Sequence, residues 1–413
     1  MRGNKNEDGT VKGMKLLLVV SSLSEGGAQR VASNLMVGLA REDHVDILLN
    51  DTEDITYPYK GRIFDLGFKA EADKGKLLYQ LKVFCKRFYR LSSLKRKENY
   101  DAVISFLDSA NIVNILTGKK NSKVVVTVHS KLSASGFDWR YKYIVFPLVR
   151  LLYDRADYVV AVSKGVEEDL RHKLGCSGKN LMTIYNGFEF DRIRLLAEEK
   201  ISLQEQEFFM SEQKVIVAVG RLCKAKGFWH LIRAFNEIAY KHDAKLLIIG
   251  DGEQKNYLKN LSRDLGLEKK IKFMGFVNNP FKYIRASDIF VMSSLYEGLP
   301  SSLIEALVLN KPCIATDFQS GAREILAPTL DEKIKISDSY IEAEYGIITP
   351  LCDGIEYSSK DPVTNEEMIL ADAIDRMLND NAVCEQYIKS SREAIKKFSM
   401  EIMLRRYREV CMN

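Results

Sequence analysis

The sequence predicts an α/β protein of two Rossmann-like, parallel-sheet domains. Three observations predict it. The chain has 413 residues, too many for one hydrophobic core. Apolar runs of strand length alternate with helix-periodic segments along nearly all of it. That alternation stops at an acidic stretch near residue 200 and then starts again. Hydrophobic content of 46% and charged content of 28% are those of a soluble globular protein.

In chain order, residues 1–13 (MRGNKNEDGTVKG) are polar with no apolar run behind them and read as a disordered tail, so Met14 begins the first element. KLLLVV from Lys15, VDILL from Val45, DAVISFL from Asp101, KVVVTV from Lys123 and DYVVAVS from Asp157 read as strands buried on both faces. LMTIYNG from Leu181 closes this half. KVIVAVGR from Lys214, KLLIIGDG from Lys245, IKFMG from Ile271, DIFVMSS from Asp288 and PCIATD from Pro312 form the second series. Strand–helix–strand repetition puts helices on both faces of an open sheet. The domains are placed at 14–192 and 212–390, with the polar stretch Ala197–Gln213 as linker. A C-terminal helix, strongest over Tyr387–Tyr407 and running through about 387–413, is expected to pack back on the first domain.

Two segments interrupt the alternation. Lys74–Lys97 holds nine Lys/Arg and no acid, with Leu77, Leu78, Leu81, Phe84, Phe88 and Leu91 among them at helical spacing. It reads either as a helix that meets an anionic surface or a pyrophosphate, or as a solvated basic face over a buried apolar stripe. Phe137–Leu152 (FDWRYKYIVFPLVRLL) reads as a packed helix in preference to a membrane anchor. No run approaches a signal peptide or the roughly 20 apolar residues of a spanning helix. A cytoplasmic protein is expected, peripheral on the inner face of the membrane where 74–97 touches anionic lipid. Seven cysteines without a CxxC pair read as reduced thiols, neither a disulfide framework nor a zinc site. Residues 1–200 carry 33 Lys/Arg against 25 Asp/Glu, and the rest 28 against 31. The basic half is the one expected to meet something anionic; nucleic acid is not among the expected partners.

Ligands of parallel sheets gather at the carboxyl ends of the strands. After the first strand, Ser24-Glu25-Gly26-Gly27-Ala28 opens a helix whose free N–H groups suit a phosphate. It is not GxGxxG, which disfavours a nicotinamide site. In the second half, Gly220-Arg221-Leu222-Cys223-Lys224-Ala225-Lys226-Gly227 sets an Arg and a Lys where both can converge on one anion, unless they are two solvated surface cations. Gly250-Asp251-Gly252 is a turn of close backbone approach. Tyr296-Glu297-Gly298-Leu299-Pro300-Ser301-Ser302-Leu303-Ile304-Glu305-Ala306 is the strongest feature. Its two carboxylates straddle a turn and a helix start, and each can accept from adjacent sugar hydroxyls. A surface Glu and a capping Glu would be the plain alternative.

These motifs, with Thr316-Asp317-Phe318-Gln319-Ser320-Gly321-Ala322-Arg323-Glu324-Ile325-Leu326, bring the chain to a family. From Met14 onward it resembles glycosyltransferase family 4, the retaining enzymes of GT-B fold, in which two Rossmann-like domains face each other across a cleft. The E-G-G-A start and Y-E-G-L-P string look most like the branch that builds surface polysaccharides and lipid-linked glycans. The resemblance implies that Arg221 and Lys226 bind the donor diphosphate and stabilise it as it leaves. It implies that Glu297 bonds the transferred sugar and Glu305 the ribose hydroxyls. Gly26 and Gly27 would approach the donor phosphate and the acceptor, while Gly220, Gly250, Gly298, Leu299 and Ser301 would line the donor site. His129 would lie beside the sugar, and Asn186-Gly187 would end the first domain.

Two departures touch the fine geometry: Pro300 stands where the common form has Gly, and Gln29 where Glu is frequent. No D-x-D triplet occurs, in keeping with a family that neutralises its diphosphate without metal. No cofactor is implied beyond the nucleotide sugar itself, with UDP expected, and the acceptor is a glycan or lipid-linked glycan. Two other readings are a sugar-nucleotide epimerase or phosphorylase on this scaffold, and a non-catalytic sugar-nucleotide-binding partner. A binder has no need to neutralise a leaving group, which the Arg221/Lys226/Glu297/Glu305 set provides for.

Overall fold

Runs of Val, Ile and Leu with both faces covered form the strands of two sheets. The computed structural model describes residues 13–24, 26–68, 77–135, 139–209, 213–318, 320–331 and 333–412. Apart from Gly13, the expected N-terminal tail lies outside them. The first sheet comprises β1 (Lys15–Val19), β2 (His44–Leu49), β3 (Ile63–Asp65), β4 (Ala102–Phe106), β5 (Lys123–Val128), β6 (Tyr158–Ala161) and β7 (Leu181–Thr183). Its order is β3-β2-β1-β4-β5-β6-β7, parallel throughout.

The second sheet comprises β8 (Val215–Val219), β9 (Lys245–Ile249), β10 (Ile271–Gly275), β11 (Ile289–Met292), β12 (Cys313–Thr316), β13 (Ile341–Glu342) and β14 (Ile347–Thr349). Its order is β10-β9-β8-β11-β12-β14-β13, and β13 alone runs antiparallel, on β14. In each sheet the order reverses once, between β1 and β4 and between β8 and β11. A crevice opens at the carboxyl ends there, the standard ligand position of an open α/β sheet.

The chain divides into two compact units, Met1–Gly187 with Met400–Asn413, and Phe188–Ser399. The stretch Ala197–Gln213 is not a free linker, because its described residues belong to the second unit. Asn279 donates to the Leu196 carbonyl at 2.7 Å and to Glu199 at 2.9 Å, and the Tyr283 hydroxyl donates to Glu205 at 2.8 Å. The C-terminal helix is two: Asn381–Ile395 stays with the second unit, and after Ser399 the helix Met400–Met412 joins the first. There Met400, Met403, Tyr407, Val410 and Cys411 enter the same core as Leu16, Leu18, Leu35 and Ile104. All seven cysteines are free thiols. Among the described residues no helix is long and apolar enough to cross a membrane.

The basic run corrects one expectation. It forms the helix Leu77–Lys97, but two of its cations point inward. Arg87 is buried and donates to the Ser109 hydroxyl (2.9 Å) and Asn50 Oδ1 (2.7 Å), and Lys95 is buried on the carbonyls of Asn114 and Gly118, both at 2.9 Å. Burial pushes the Arg87 guanidinium down to about 10 and the Lys95 ammonium to about 7. These two tie the helix to the helix Asp108–Leu116 and to the loop after β2, while Lys82, Lys86, Arg90, Arg96 and Lys97 are exposed; Lys74 and Lys76 lie outside the described residues. Lys86 and Arg90 border a cavity of about 450 Å³ together with Asp65, Tyr89 and Ser93.

Candidate active site

In the second unit the site grows from the way three loops are laced together at the β8/β11 crevice. Gly250 ends β9 at φ +144°, and a Cβ on it would stand 1.9 Å from the Gly220 carbonyl oxygen. Leu222 N–H donates to the Asp251 carbonyl and Gln254 N–H to that of Leu222, both at 2.9 Å. The Gly-Asp-Gly turn is therefore needed by the approach of loop to loop. Gly227, at φ +57°, begins the helix Phe228–Ile238, and a Cβ there would stand 2.4 Å from the Ser293 carbonyl oxygen. A left-handed residue in so close a contact has to be glycine. The Ser293 hydroxyl donates to the Lys226 carbonyl (3.0 Å) and Leu295 N–H to that of Ala225 (2.8 Å). The 220–227 loop is thus pinned to the end of β11.

That pinning brings Lys226 to Glu297. Lys226 Nζ lies 2.5 Å from Glu297 Oε1, with both side chains mostly buried, and the Ser294 hydroxyl donates to the same oxygen at 2.9 Å. Glu297 Oε2 has no partner among the described residues. The carboxylate is held by one oxygen and can accept through the other. Its backbone is fixed as well, since the Ser320 hydroxyl donates to the Glu297 carbonyl. Beyond it Gly298, the buried Leu299 and Pro300 lead into the helix Ser301–Val308, which has no side-chain cap on its N-terminus. Ser302 ties that helix to the Val219 carbonyl at 3.1 Å, and Glu305 sits on its buried face. Pro300 has no N–H and the Leu303 N–H donates to the Pro300 carbonyl at 3.2 Å, so the Ser301 and Ser302 N–H groups and the positive dipole end are what this helix offers an anion or a sugar oxygen.

Not every expected residue converges. Arg221 follows Gly220 at the strand end but is largely exposed and pairs with Glu253 at 3.3 Å, away from Glu297. Ser293, Ser294 and Ser320 were missed by sequence reasoning, although the two serines that end DIFVMSS were a usable signal, being polar groups at a strand's carboxyl end. Among the described residues no group of acids, histidines and cysteines could hold a metal ion.

In the first unit the helix Gly27–Leu39 begins directly after Gly26 and has no side-chain cap. His129, just past β5, stacks on Phe106 with ring centroids 5.5 Å apart, and its Nε2 lies 2.9 Å from Thr127 Oγ1. The Thr127 hydroxyl already donates to the Ser105 carbonyl at 2.8 Å. Nε2 must therefore carry the proton, which leaves Nδ1 as an acceptor. Burial pushes the imidazole down to about 4, so it is neutral near pH 7. Asp108, another residue the sequence did not flag, opens the helix Asp108–Leu116 after β4 and accepts from the Tyr141 hydroxyl at 3.2 Å. Burial raises its carboxyl to about 6.

The chain has relatives. Residues 25–192 match the family described as Glycosyltransferase Family 4, and residues 199–337 match Glycosyl transferases group 1. An uncharacterized glycosyltransferase of Methanocaldococcus jannaschii is 33% identical over 350 residues, covering 82% of this chain and 85% of its own. The Campylobacter jejuni N-acetylgalactosamine-N,N'-diacetylbacillosaminyl-diphospho-undecaprenol 4-alpha-N-acetylgalactosaminyltransferase is 32% identical over 316 residues, 75% of this chain and 83% of its own. Among solved structures, Anabaena HepE in complex with UDP and glucose superposes with a TM-score of 0.71 at 20% identity, covering 96% of this chain and 98% of that one. At that identity the likeness is one of fold, GT-B.

Proposed function

We propose that this chain, an enzyme that belongs to glycosyltransferase family 4, moves a hexose or N-acetylhexosamine from a UDP-sugar to a glycan or lipid-linked acceptor, with retention at the anomeric carbon. The observation that carries the reading is Glu297, gripped through Oε1 by Lys226 and Ser294 at the β8/β11 crevice. A carboxylate so fixed can accept from a sugar hydroxyl through Oε2 while the ammonium beside it faces the diphosphate. UDP is supported by the UDP and UDP-glucose complexes of the HepE neighbour. A lipid-linked acceptor is supported by the name of the Campylobacter relative.

As the C1–O bond of the donor breaks, negative charge grows on the departing diphosphate. Lys226, Arg221 (once turned from Glu253) and the uncapped helix N-terminus at Ser301 stabilise that charge where it develops, without a metal ion. The leaving phosphate oxygen takes the acceptor's proton on the face it vacates, so the configuration is kept. Glu305 holds the ribose and His129 offers Nδ1 to a sugar hydroxyl. Gly26 and Gly27, opening their helix, approach the donor phosphate and the acceptor. Lys82, Lys86 and Arg90 on the basic helix meet the anionic part of the acceptor or an anionic lipid surface.

Thermal shift with UDP-, GDP- and ADP-sugars, followed by donor turnover with and without a polyprenyl-diphosphate glycan, tests this reading. Stabilisation by UDP-sugars and acceptor-dependent release of UDP are expected. A preference for GDP- or ADP-sugars, or product of inverted configuration, would overturn the corresponding part.

A further inference from the structure

Tryptophan, tyrosine and leucine do not usually share the outward face of a helix in water. Residues 139–152 (WRYKYIVFPLVRLL) are helical throughout, with a π-helical turn over Tyr141–Val145 and an α-helix over Phe146–Leu152. The inner side is ordinary: Val149, Leu152 and the following Tyr153 are buried. The outer side is not. Trp139 is 58% exposed, Tyr143 67% and Leu151 61%, with Ile144 and Pro147 also open to solvent. The only charges in the segment are Arg140, Lys142 and Arg150, all basic. A surface helix normally turns a polar face outward, and a helix apolar nearly all round is built to be covered.

The covering that fits is an anionic bilayer surface. Trp and Tyr are the residues that sit at the level of lipid headgroups, and Lys and Arg can extend from beside them to phosphates. A second helix of the same unit has the same make-up. Leu77–Lys97 exposes Leu78, Leu81 and Tyr89 beside Lys82, Lys86 and Arg90. The helix Asp108–Leu116 packs against both Leu77–Lys97 and Phe146–Leu152, and its Leu116 is exposed too. We infer that the stripe Trp139–Tyr143–Leu151 enters the interfacial layer of an anionic membrane and anchors the first unit there, beside the basic helix. The inference rests on the lipid-linked acceptor reading only for the reason such an enzyme would dock. Its chemistry stands on the stripe itself.

The chain carries its own probe. It has two tryptophans, and Trp229 is fully buried with its indole N–H donating to the Ile355 carbonyl at 2.7 Å. Any vesicle-induced change in emission therefore reports Trp139. The full chain, without donor or acceptor, is titrated with vesicles of equal phosphatidylglycerol and phosphatidylcholine, and separately with pure phosphatidylcholine. A blue shift with the anionic vesicles is expected, together with quenching by brominated acyl chains and loss of the shift in Trp139→Phe. Tyr143→Ser with Leu151→Ser should weaken vesicle binding by roughly tenfold or more, with far-UV circular dichroism unchanged because both side chains are exposed.

Co-sedimentation with unshifted Trp139 emission would mean the basic helix docks alone, and the stripe proposal falls while the basic-helix reading stands. A concentration-dependent shift without vesicles, matched by a dimer in sedimentation, would hand the stripe to a second copy and equally overturn it. Since no substrate is present, neither result bears on the transferase reading.

Discussion

Lys226 and Glu297 hold each other, so replacing both should cost little more than replacing one. On the proposed mechanism Lys226→Ala removes an ammonium set against the leaving diphosphate, with an expected loss of about 10²–10³ in turnover, the scale of one preorganised donor. The same change takes away the 2.5 Å partner of Glu297 and leaves the Ser294 hydroxyl, 2.9 Å away, to position the carboxylate alone. Glu297→Gln ends the ion pair from the other side and frees Nζ to wander. If the two acted separately, their losses would multiply to about 10⁴–10⁶. With the geometry observed, the double variant should fall within about tenfold of the worse single, a coupling of at least about 1.4 kcal/mol. Initial rates of UDP release under saturating donor and acceptor, for wild type, both singles and the double, give the cycle directly. The pair is mostly buried, so each single variant, which leaves one partner without the other, should lower the unfolding midpoint by more than the double variant does. A double variant whose loss equals the product of the singles would refute the reasoning.

His129 is expected to act as a neutral acceptor through Nδ1, so His129→Asn, which can set an oxygen near that position, should retain clearly more turnover than His129→Ala. Equal activities of the two would remove that role. Lys95 should make stability depend on pH. Its folded value is about 7 against an ordinary 10.5, so below pH 7 the buried charge costs its full penalty, and between about 7 and 10.5 stability rises with pH because the folded chain has given up the proton that the unfolded chain still holds; above about 10.5 the rise stops. In Lys95→Met that rise should be smaller, read from the difference in melting temperature across the window; parallel curves would contradict it. If side chains and helix ends meet the leaving charge as proposed, activity should survive EDTA; an absolute need for Mg²⁺ or Mn²⁺ would be incompatible with the mechanism. Arg87→Gln should destabilise the first unit, whereas Lys82→Gln with Lys86→Gln and Arg90→Gln should leave its melting temperature alone and weaken use of the acceptor.

The central strands were legible because a strand covered on both faces is a nearly unbroken apolar run, as in KLLLVV and KVVVTV. The edge strands β3 and β13 and the short β14 beside β13 were not, because two or three residues are too few to carry such a pattern. Arg87 and Lys95 passed for surface cations, yet the spacing held the answer. Val83, Arg87, Leu91, Leu94 and Lys95 recur at helical intervals, and all five are buried. In the candidate site, the types of residue were readable and their pairing was not. Lys226 and Glu297 stand 71 positions apart, and only the adjacency of β8 and β11 brings their loops together. Arg221 shows the converse, a motif position whose side chain the local fold turns toward Glu253.

Gly187 and the helix Met400–Met412 have a consequence for the order of biosynthesis. A Cβ on Gly187 would stand 2.8 Å from Met400 Cα, and Gly187 N–H meets Met403 Sδ at 3.0 Å. One wall of the first unit's core therefore waits on residues made after the whole of the second unit. At about 5–20 residues per second, the ribosome delivers that wall some tens of seconds after β7 has emerged. During that interval the core that holds Leu35, Leu39 and Ile104 lacks Met403 and Tyr407. The second unit, contiguous in the chain, can close first although it is made later. The nascent first half is then the part most exposed to chaperones and to misassociation.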